Sequence, residues 1–407
     1  MTTHRKITII LGAGASKAYA RCPYPLLPDL LPDILTKADT NTDDLPSEGG
    51  RLRLYLAYAL REAYALNGPR LDNELVPARV IQQEFDRVKA VPKDLFNLPT
   101  IFQEIELVSD PTRTRAYWAL AHAIGWYMCL MSKRDIDARP NSRIDKAHAK
   151  LILLIDQLLS DGVTVTVVDF NYDCVLERVR YGLGAPRFGW YYGRERKVIA
   201  DTTGNTSPSS LVEAESFQTP LDERQYATWT GLIKPHGDMC TFLRGPREVY
   251  YRGLPHSHTT VAIFPQKLAD IRPDDKFVRS SIMPPANSRF RHMSEFYEQE
   301  KNQLITALSE SDGFIIIGWS ASGTDEFYKE IFTPIFQNKS PRLYVVNRSS
   351  DGARDSDLET GLRQVFGGGA IFQDVQMCGF NETAVERLEQ LFSTDDNSVT
   401  ETVRTNA

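Results

Sequence analysis

The first junction in the chain, KITIILGAGASKAY over residues 6–19, leaves few architectures open. Ile7, Ile9, Ile10 and Leu11 form a short, β-branched run bounded by glycine, the pattern of a strand buried on both faces. Gly12, Ala13, Gly14, Ala15 and Ser16 then make a turn with almost no side chain, and Lys17-Ala18-Tyr19-Ala20 can begin a helix. A strand, a bare turn and a helix start are the opening unit of a doubly wound sheet, where backbone N–H groups can face an anion, usually a phosphate. The complete G-x-G-x-x-G fingerprint fails, because Lys17 stands where its third glycine would fall. Two uses of the loop stay open: a phosphate cradle, or a tight structural turn.

The rest of the chain repeats the strand–helix alternation around one interruption. Prolines 23, 25, 28 and 32 leave the segment after the loop too broken for a long helix. Between residues 51 and 156, RLRLYLAYALREAYAL, IFQEIELV, YWALAHAIGWYMCLM and AHAKLILLIDQLL show helical spacing, which predicts a large helical insertion. VTVTVV (163–168) is a strand, followed by turn and helix in FNYDCVLERVRYGL. Residues 193–228 are polar and read as a long connecting loop or a small irregular subdomain. VAIF (261–264), GFIIIGW (313–319), RLYVVN (342–347) and AIFQDVQM (370–377) are further strand candidates, with the helical SEFYEQEKNQLITALSES before the second of them. The expected fold is α/β: a Rossmann-like open parallel sheet with helices on both faces and a large helical insertion. One domain should span 1–392, its core formed by 1–35 and 157–392, with 393–407 an aperiodic tail.

Bulk properties narrow the function classes. The chain has 407 residues, 42% of them hydrophobic, enough for a substantial core. A net charge of -6 opposes nucleic-acid binding, so no direct nucleic-acid contact is expected. No run reaches bilayer-spanning length and the first strand leaves no room for a signal peptide, so a soluble, cytoplasmic protein is expected, without membrane attachment. The five cysteines, Cys22, Cys129, Cys174, Cys240 and Cys378, are scattered and include no C-x-x-C pair, which argues for reduced thiols and against a cysteine-based zinc site. His256 and His258 have a spacing that can hold a metal, yet no acidic or cysteine ligand lies close in sequence and a solvent-facing loop accounts for them better.

In a doubly wound sheet, ligands bind beyond the carboxyl ends of the strands. The residues there are Gly12-Ala13-Gly14-Ala15-Ser16, Asp169-Phe170-Asn171-Tyr172-Asp173, Lys234-Pro235-His236-Gly237-Asp238, Gly318-Trp319-Ser320 and Asn347-Arg348. In order and approximate spacing, GAGAS, FNYD, KPHGD, IIIGWSASGTDE and VVN resemble the sirtuin (silent-information-regulator) superfamily, over most of the chain from Ile7 to Asn347. The resemblance implies that Gly12, Ala13, Gly14 and Ser16 hold the pyrophosphate of NAD, with Asn171, Asp173, Gly318, Ser320 and Asn347 completing the nucleotide site. It assigns the catalytic asparagine and histidine to Asn171 and His236, with Asp173 as partner.

The departures are informative. Deacylase sirtuins carry two zinc-binding C-x-x-C pairs and a G-I-P-x-F-R stretch; this chain has no such pairs and reads Cys22-Pro23-Tyr24-Pro25-Leu26 after the loop. Asp169 stands where the family has threonine. These differences point to the divergent bacterial branch whose members hydrolyse NAD in anti-phage defence. What that resemblance implies is an NAD hydrolase using NAD as substrate and no zinc, a homo-oligomer, and an activating partner such as a hexameric HerA-like ATPase. Two other readings stand beside it: a sirtuin-like deacylase or ADP-ribosyltransferase, and a non-catalytic module that senses NAD or ADP-ribose.

Cleavage of the nicotinamide–ribose bond passes through an oxocarbenium-like transition state, which calls for a positioned water and stabilisation of positive charge on the sugar. A carboxamide such as that of Asn171 can hold water or ribose hydroxyls, and an imidazole such as that of His236 can accept a proton at neutral pH. Structural roles compete with each assignment. Asn171 can cap a helix beginning near Tyr172, Asp173 can complement that helix's dipole, and His236 can be a turn histidine before Gly237. Trp319 suits packing, and Ser320 and Thr324 can cap the next helix, with Asp325 and Glu326 on its first turn.

Overall fold

A computed structural model of the chain describes residues 5–19, 25, 27–40, 46–69, 71, 76–91, 98–107, 112–137, 145–183, 188–191, 196–200, 212–217, 228–239, 241–244, 248–251, 279–283, 295–319, 321, 326–348 and 356–401. The KITIIL run is strand β1 (Lys6–Leu11), flanked in register by β2 (Thr164–Asp169) on one side and β10 (Gly313–Ile317) on the other, both parallel to it. With β3 (Phe188–Tyr191), β6 (Thr228–Ile233), β11 (Arg342–Val346) and β12 (Ile371–Gln376), these build a seven-stranded, all-parallel sheet in the order β12-β11-β10-β1-β2-β6-β3. From β1 the chain adds β2 and β3 on one side, with β6 later inserted between them, and then crosses to β10, β11 and β12 on the other, so the topological switch lies between β1 and β10. The expected α/β fold is the observed one.

Strand periodicity divides the core between two faces. Ile7, Ile9, Leu11, Val165, Val167, Ile315 and Ile317 pack on one side; Ile10, Val168, Phe314, Ile316, Leu343 and Val345 pack on the other. The first face is covered by α7 (Lys146–Ser160), α8 (Val175–Leu183) and α12 (Glu382–Glu401) together with the insertion: α3 (Pro46–Ala63), α4 (Ala78–Lys89), α5 (Leu98–Leu107) and α6 (Thr112–Asp137). Helices α9 (Glu295–Glu310), α10 (Glu326–Phe336) and α11 (Ser356–Phe366) cover the second. Near-continuous apolar strands follow from this two-sided cover.

Strands β3 and β6 correspond to none of the sequence's strand candidates, and three further segments differ from the expectations. The proline-rich stretch forms a fourteen-residue helix, α2 (Leu27–Thr40), with Pro32 inside it. Pro28 sits in the first turn, where its missing N–H costs nothing, and burial of Leu30, Leu31, Ile34, Leu35 and Ala38 outweighs the bond lost at Pro32. Residues 193–228 contribute β4 (Arg196–Ala200) and β5 (Val212–Phe217) to a second sheet, with β7 (Thr241–Arg244), β8 (Glu248–Tyr251) and β9 (Arg279–Ser280), in the order β5-β4-β8-β7-β9. Helix continues through 393–401, where the sequence suggested an aperiodic tail. The proposed strand VAIF (261–264) lies outside the described residues. No helix among the described residues is long and apolar enough to cross a membrane.

Candidate functional site

The parallel ladder runs one residue past its strands, and that extension sets the site. Phe170 N donates to Leu11 O (3.0 Å), Gly12 N to Ile317 O (2.9 Å) and Gly318 N to Val346 O (2.9 Å). The loops after β1, β2 and β10 therefore leave the sheet side by side, at the switch point.

The loops after β1 and β10 meet backbone to backbone. Gly14 N donates to Gly318 O at 3.0 Å, and Gly318 has a φ of +63°, a conformation suited to glycine. A Cβ on Gly12 would stand 2.6 Å from Gly318 O, and one on Gly14 would stand 2.8 Å from Gly318 Cα. The bare GAGAS turn is thus explained first by this close approach. Inside it, Ala13–Lys17 form a single short helical segment, α1, one turn earlier than the sequence suggested. The N–H groups of Gly12, Gly14 and Ala15 are taken by Ile317 O, Gly318 O and Gly12 O, and Ser16 is buried. Ala13 and Gly14 remain partly exposed at the rim.

The loop after β2 brings Asn171 onto this turn: its Nδ2 donates to Gly12 O at 3.1 Å. Asn171 does not cap the following helix; Asp173 does, its Oδ1 accepting from Val175 N at 3.0 Å. The dipole-complementing role weighed for Asp173 therefore has a bond behind it.

His236, in the loop after β6, approaches through aromatic contacts. Its ring lies edge-on to Phe170 at 5.5 Å and tilted to Tyr172 at 5.9 Å, and Phe170 stacks on Trp319 at 5.2 Å. Residues 12, 170–172, 236 and 318–319 therefore form one contiguous group. The loop carrying His236 is pinned by Met239 N to Tyr172 O (2.9 Å) and by Met283 N to His236 O (2.7 Å). Gly237 takes a φ of +69° there, with Ser281 O only 1.9 Å from where a Cβ would sit. Trp319 packs against Phe332 and Phe366 as well as Phe170, the packing role its type suggested.

Asn347 stands apart from this group. It follows β11, two strands from β1; its N donates to Gln376 O (2.9 Å), and its Oδ1 accepts from Arg348 N (2.9 Å). Ser320, Thr324, Asp325, Cys22, Cys240, His256 and His258 lie outside the described residues. Cys174 is a buried thiol outside any disulfide, its Sγ 3.9 Å from Asp238 Oδ1, and Cys378 is an exposed one.

Sequence reasoning missed the charges beneath the site. Lys234 is 1% exposed, with Nζ 3.0 Å from Asp169 Oδ2 and 3.3 Å from Glu177 Oε1, and it also donates to Asp173 O. Asp169 Oδ1 accepts from Asn171 N at 3.0 Å, and Lys234 N donates to Glu300 Oε2 at 3.2 Å. One ammonium faces two buried carboxylates. Burial pushes the Asp169 carboxyl up to about 7, Lys234 opposes the rise, and Asp173 and Glu177 add to it. Burial likewise raises Glu177, against the pull of Lys234. Burial alone would lower Lys234, but Asp169 and Glu177 outweigh it and hold the ammonium well above its ordinary value. The signal was present as Asp169 directly after VTVTVV and as the lysine of KPHGD; their pairing across distant segments was not readable.

No protein-family profile matches the chain, and no curated protein sequence matches it either. Among solved structures, it is similar to a Sir2 in complex with a p53 peptide and NAD+, at 10% identity and a TM-score of 0.33, over 95% of this chain and 92% of that one. A likeness of that size leaves function to the chain's own residues.

Proposed function

We propose that the chain binds NAD across the carboxyl ends of β1, β2, β6 and β10 and hydrolyses its nicotinamide–ribose bond, releasing nicotinamide and ADP-ribose. The observation that supports this most is convergence: Asn171 bonds to Gly12 O, while His236 reaches the same group through Phe170. These are the residues that the motif order singled out, drawn together from distant parts of the sequence.

In this reading Asn171 orients water and ribose hydroxyls, and His236 accepts the proton that the attacking water gives up. The bond breaks with its electron pair going to the pyridinium nitrogen, so the leaving group needs no acid. Burial of both side chains, at 7% exposure each, limits competing solvent around the sugar cation. Asp173 acts through the loop, capping α8, and Asn347 belongs to the outer, adenosine end. An enzyme that depletes NAD requires an off state, so the wider reading is an anti-phage effector held in check by self-assembly or by a second protein such as a HerA-like ATPase.

The test is chromatographic detection of nicotinamide from NAD, with and without an acyl-lysine peptide. Release without peptide supports hydrolysis. Release only with peptide transfers the site to deacylation, and binding with no release under either condition makes it a sensor.

A further inference from the structure

We propose that Lys234 is a positioning residue whose buried ammonium clamps the loops after β2 and β6 together, fixing Asn171 and His236 relative to each other. This rests on the site assignment above, though the clamp itself is a matter of geometry. Nζ holds three points of the first loop and its helix: the Asp169 carboxylate at the strand end, the Asp173 carbonyl in the turn, and the Glu177 carboxylate in the first turn of α8. The backbone of the same lysine opens the second loop, two residues before His236, and its N–H is anchored on Glu300 of α9. Asp169 passes the constraint directly to Asn171 by accepting from its backbone N–H.

A bundle of four buried ionisable groups, Lys234, Asp169, Glu177 and Glu300, is an expensive way to join two loops. Replacing a buried ionic set with neutral groups of similar volume is often harmless to stability, so stability alone does not explain why charges stand here. What a multidentate ammonium supplies is a fixed separation just past the last paired residues of β2 and β6, Val168 and Ile233, where the loops are otherwise joined by the Met239 N to Tyr172 O bond further out. It also accounts for Asp169: a hydroxyl at that position can accept from Asn171 N, but only a carboxylate also pairs the lysine.

The experiment uses the full chain. Lys234→Met alone strands two buried acids, so the informative variant is the triple Asp169→Asn/Glu177→Gln/Lys234→Met, which replaces all three groups with uncharged ones. Hydrogen exchange read by mass spectrometry should quicken at least tenfold in segments 169–175 and 233–239, and stay parental in β1 and β10. Nicotinamide release should fall at least tenfold in kcat, with KM for NAD within about threefold, since the residues that touch substrate are unaltered. Parental exchange in both loops, or parental kcat, overturns the clamp. Should the triple variant not fold, Asp169→Asn carries the same readouts, with the change confined to 169–175, because it leaves Lys234 and Glu177 as a one-to-one pair. If the parent consumes no NAD, the exchange data alone decide the clamp, and only the functional reading is lost.

Discussion

Gly318→Ala probes the contact on which the arrangement of the site depends. A Cβ built on Gly318 lies 2.3 Å from Ala15 N, 2.6 Å from Gly14 C and 2.7 Å from Gly14 Cα. Unstrained contacts between such atoms stand near ~3.5 Å, so one loop must retreat by roughly 1 Å. Every atom in the way is backbone, and no side-chain rotation relieves the overlap. The left-handed conformation costs an alanine about 1–2 kcal/mol and the overlap adds about 1–3, for a total of about 2–5 kcal/mol. Gly162 provides the control: its φ is +79° at the end of α7, with nothing within 4 Å of the added carbon. Gly162→Ala should therefore lose only the conformational part, about 1–2 kcal/mol. Urea unfolding of the two variants against the parent, read at their midpoints with a shared slope, separates the terms. Equal losses would mean that the loops after β1 and β10 do not meet backbone to backbone, and the common site would lose its frame.

Other perturbations act on the same group. Asn171→Ala and His236→Ala should each lower nicotinamide release by about 10²-fold or more while circular dichroism stays parental; retention of parental turnover in both removes them from catalysis. Phe170→Leu, which deletes the ring between His236 and Trp319, should lower turnover more than it lowers the unfolding midpoint, as comparison of the two measurements will show. Because Asp169 is held at about 7 by burial, against 3.8 in the unfolded chain, the native state binds the extra proton between those values. Its contribution to stability is therefore greatest at the acid end and declines as pH rises toward 7, so Asp169→Asn should flatten that decline in urea midpoints measured from pH 4 to 7. An unchanged pH dependence would place the proton elsewhere.

Most of the sheet was legible because its strands are short, β-branched runs buried on both faces, and such runs end where the hydrophobicity ends. VTVTVV, GFIIIGW and RLYVVN fall on β2, β10 and β11, with ends one or two residues off. The candidate site was placed at the same strand ends, since a parallel sheet offers its ligand edge there. The second sheet was not: β4 and β5 read RKVIA and VEAESF, mixing charge with apolar residues inside a polar segment. Helix α2 was obscured by prolines that the first turn tolerates and that packing overrides further in. The Lys234 cluster eluded the sequence for a different reason. Lysine, aspartate and glutamate are surface residues by default, and only the folded chain shows that these three bury one another.

The most direct measurement is a crystal structure of the His236→Ala chain grown with NAD, where the substitution stops turnover and leaves the neighbouring loops intact. The account predicts intact dinucleotide lying across the ends of β1 and β10, its nicotinamide ribose beside the Asn171 carboxamide and the space vacated at 236. Nucleotide bound at another face, or no nucleotide at these strand ends at saturating NAD, would contradict it.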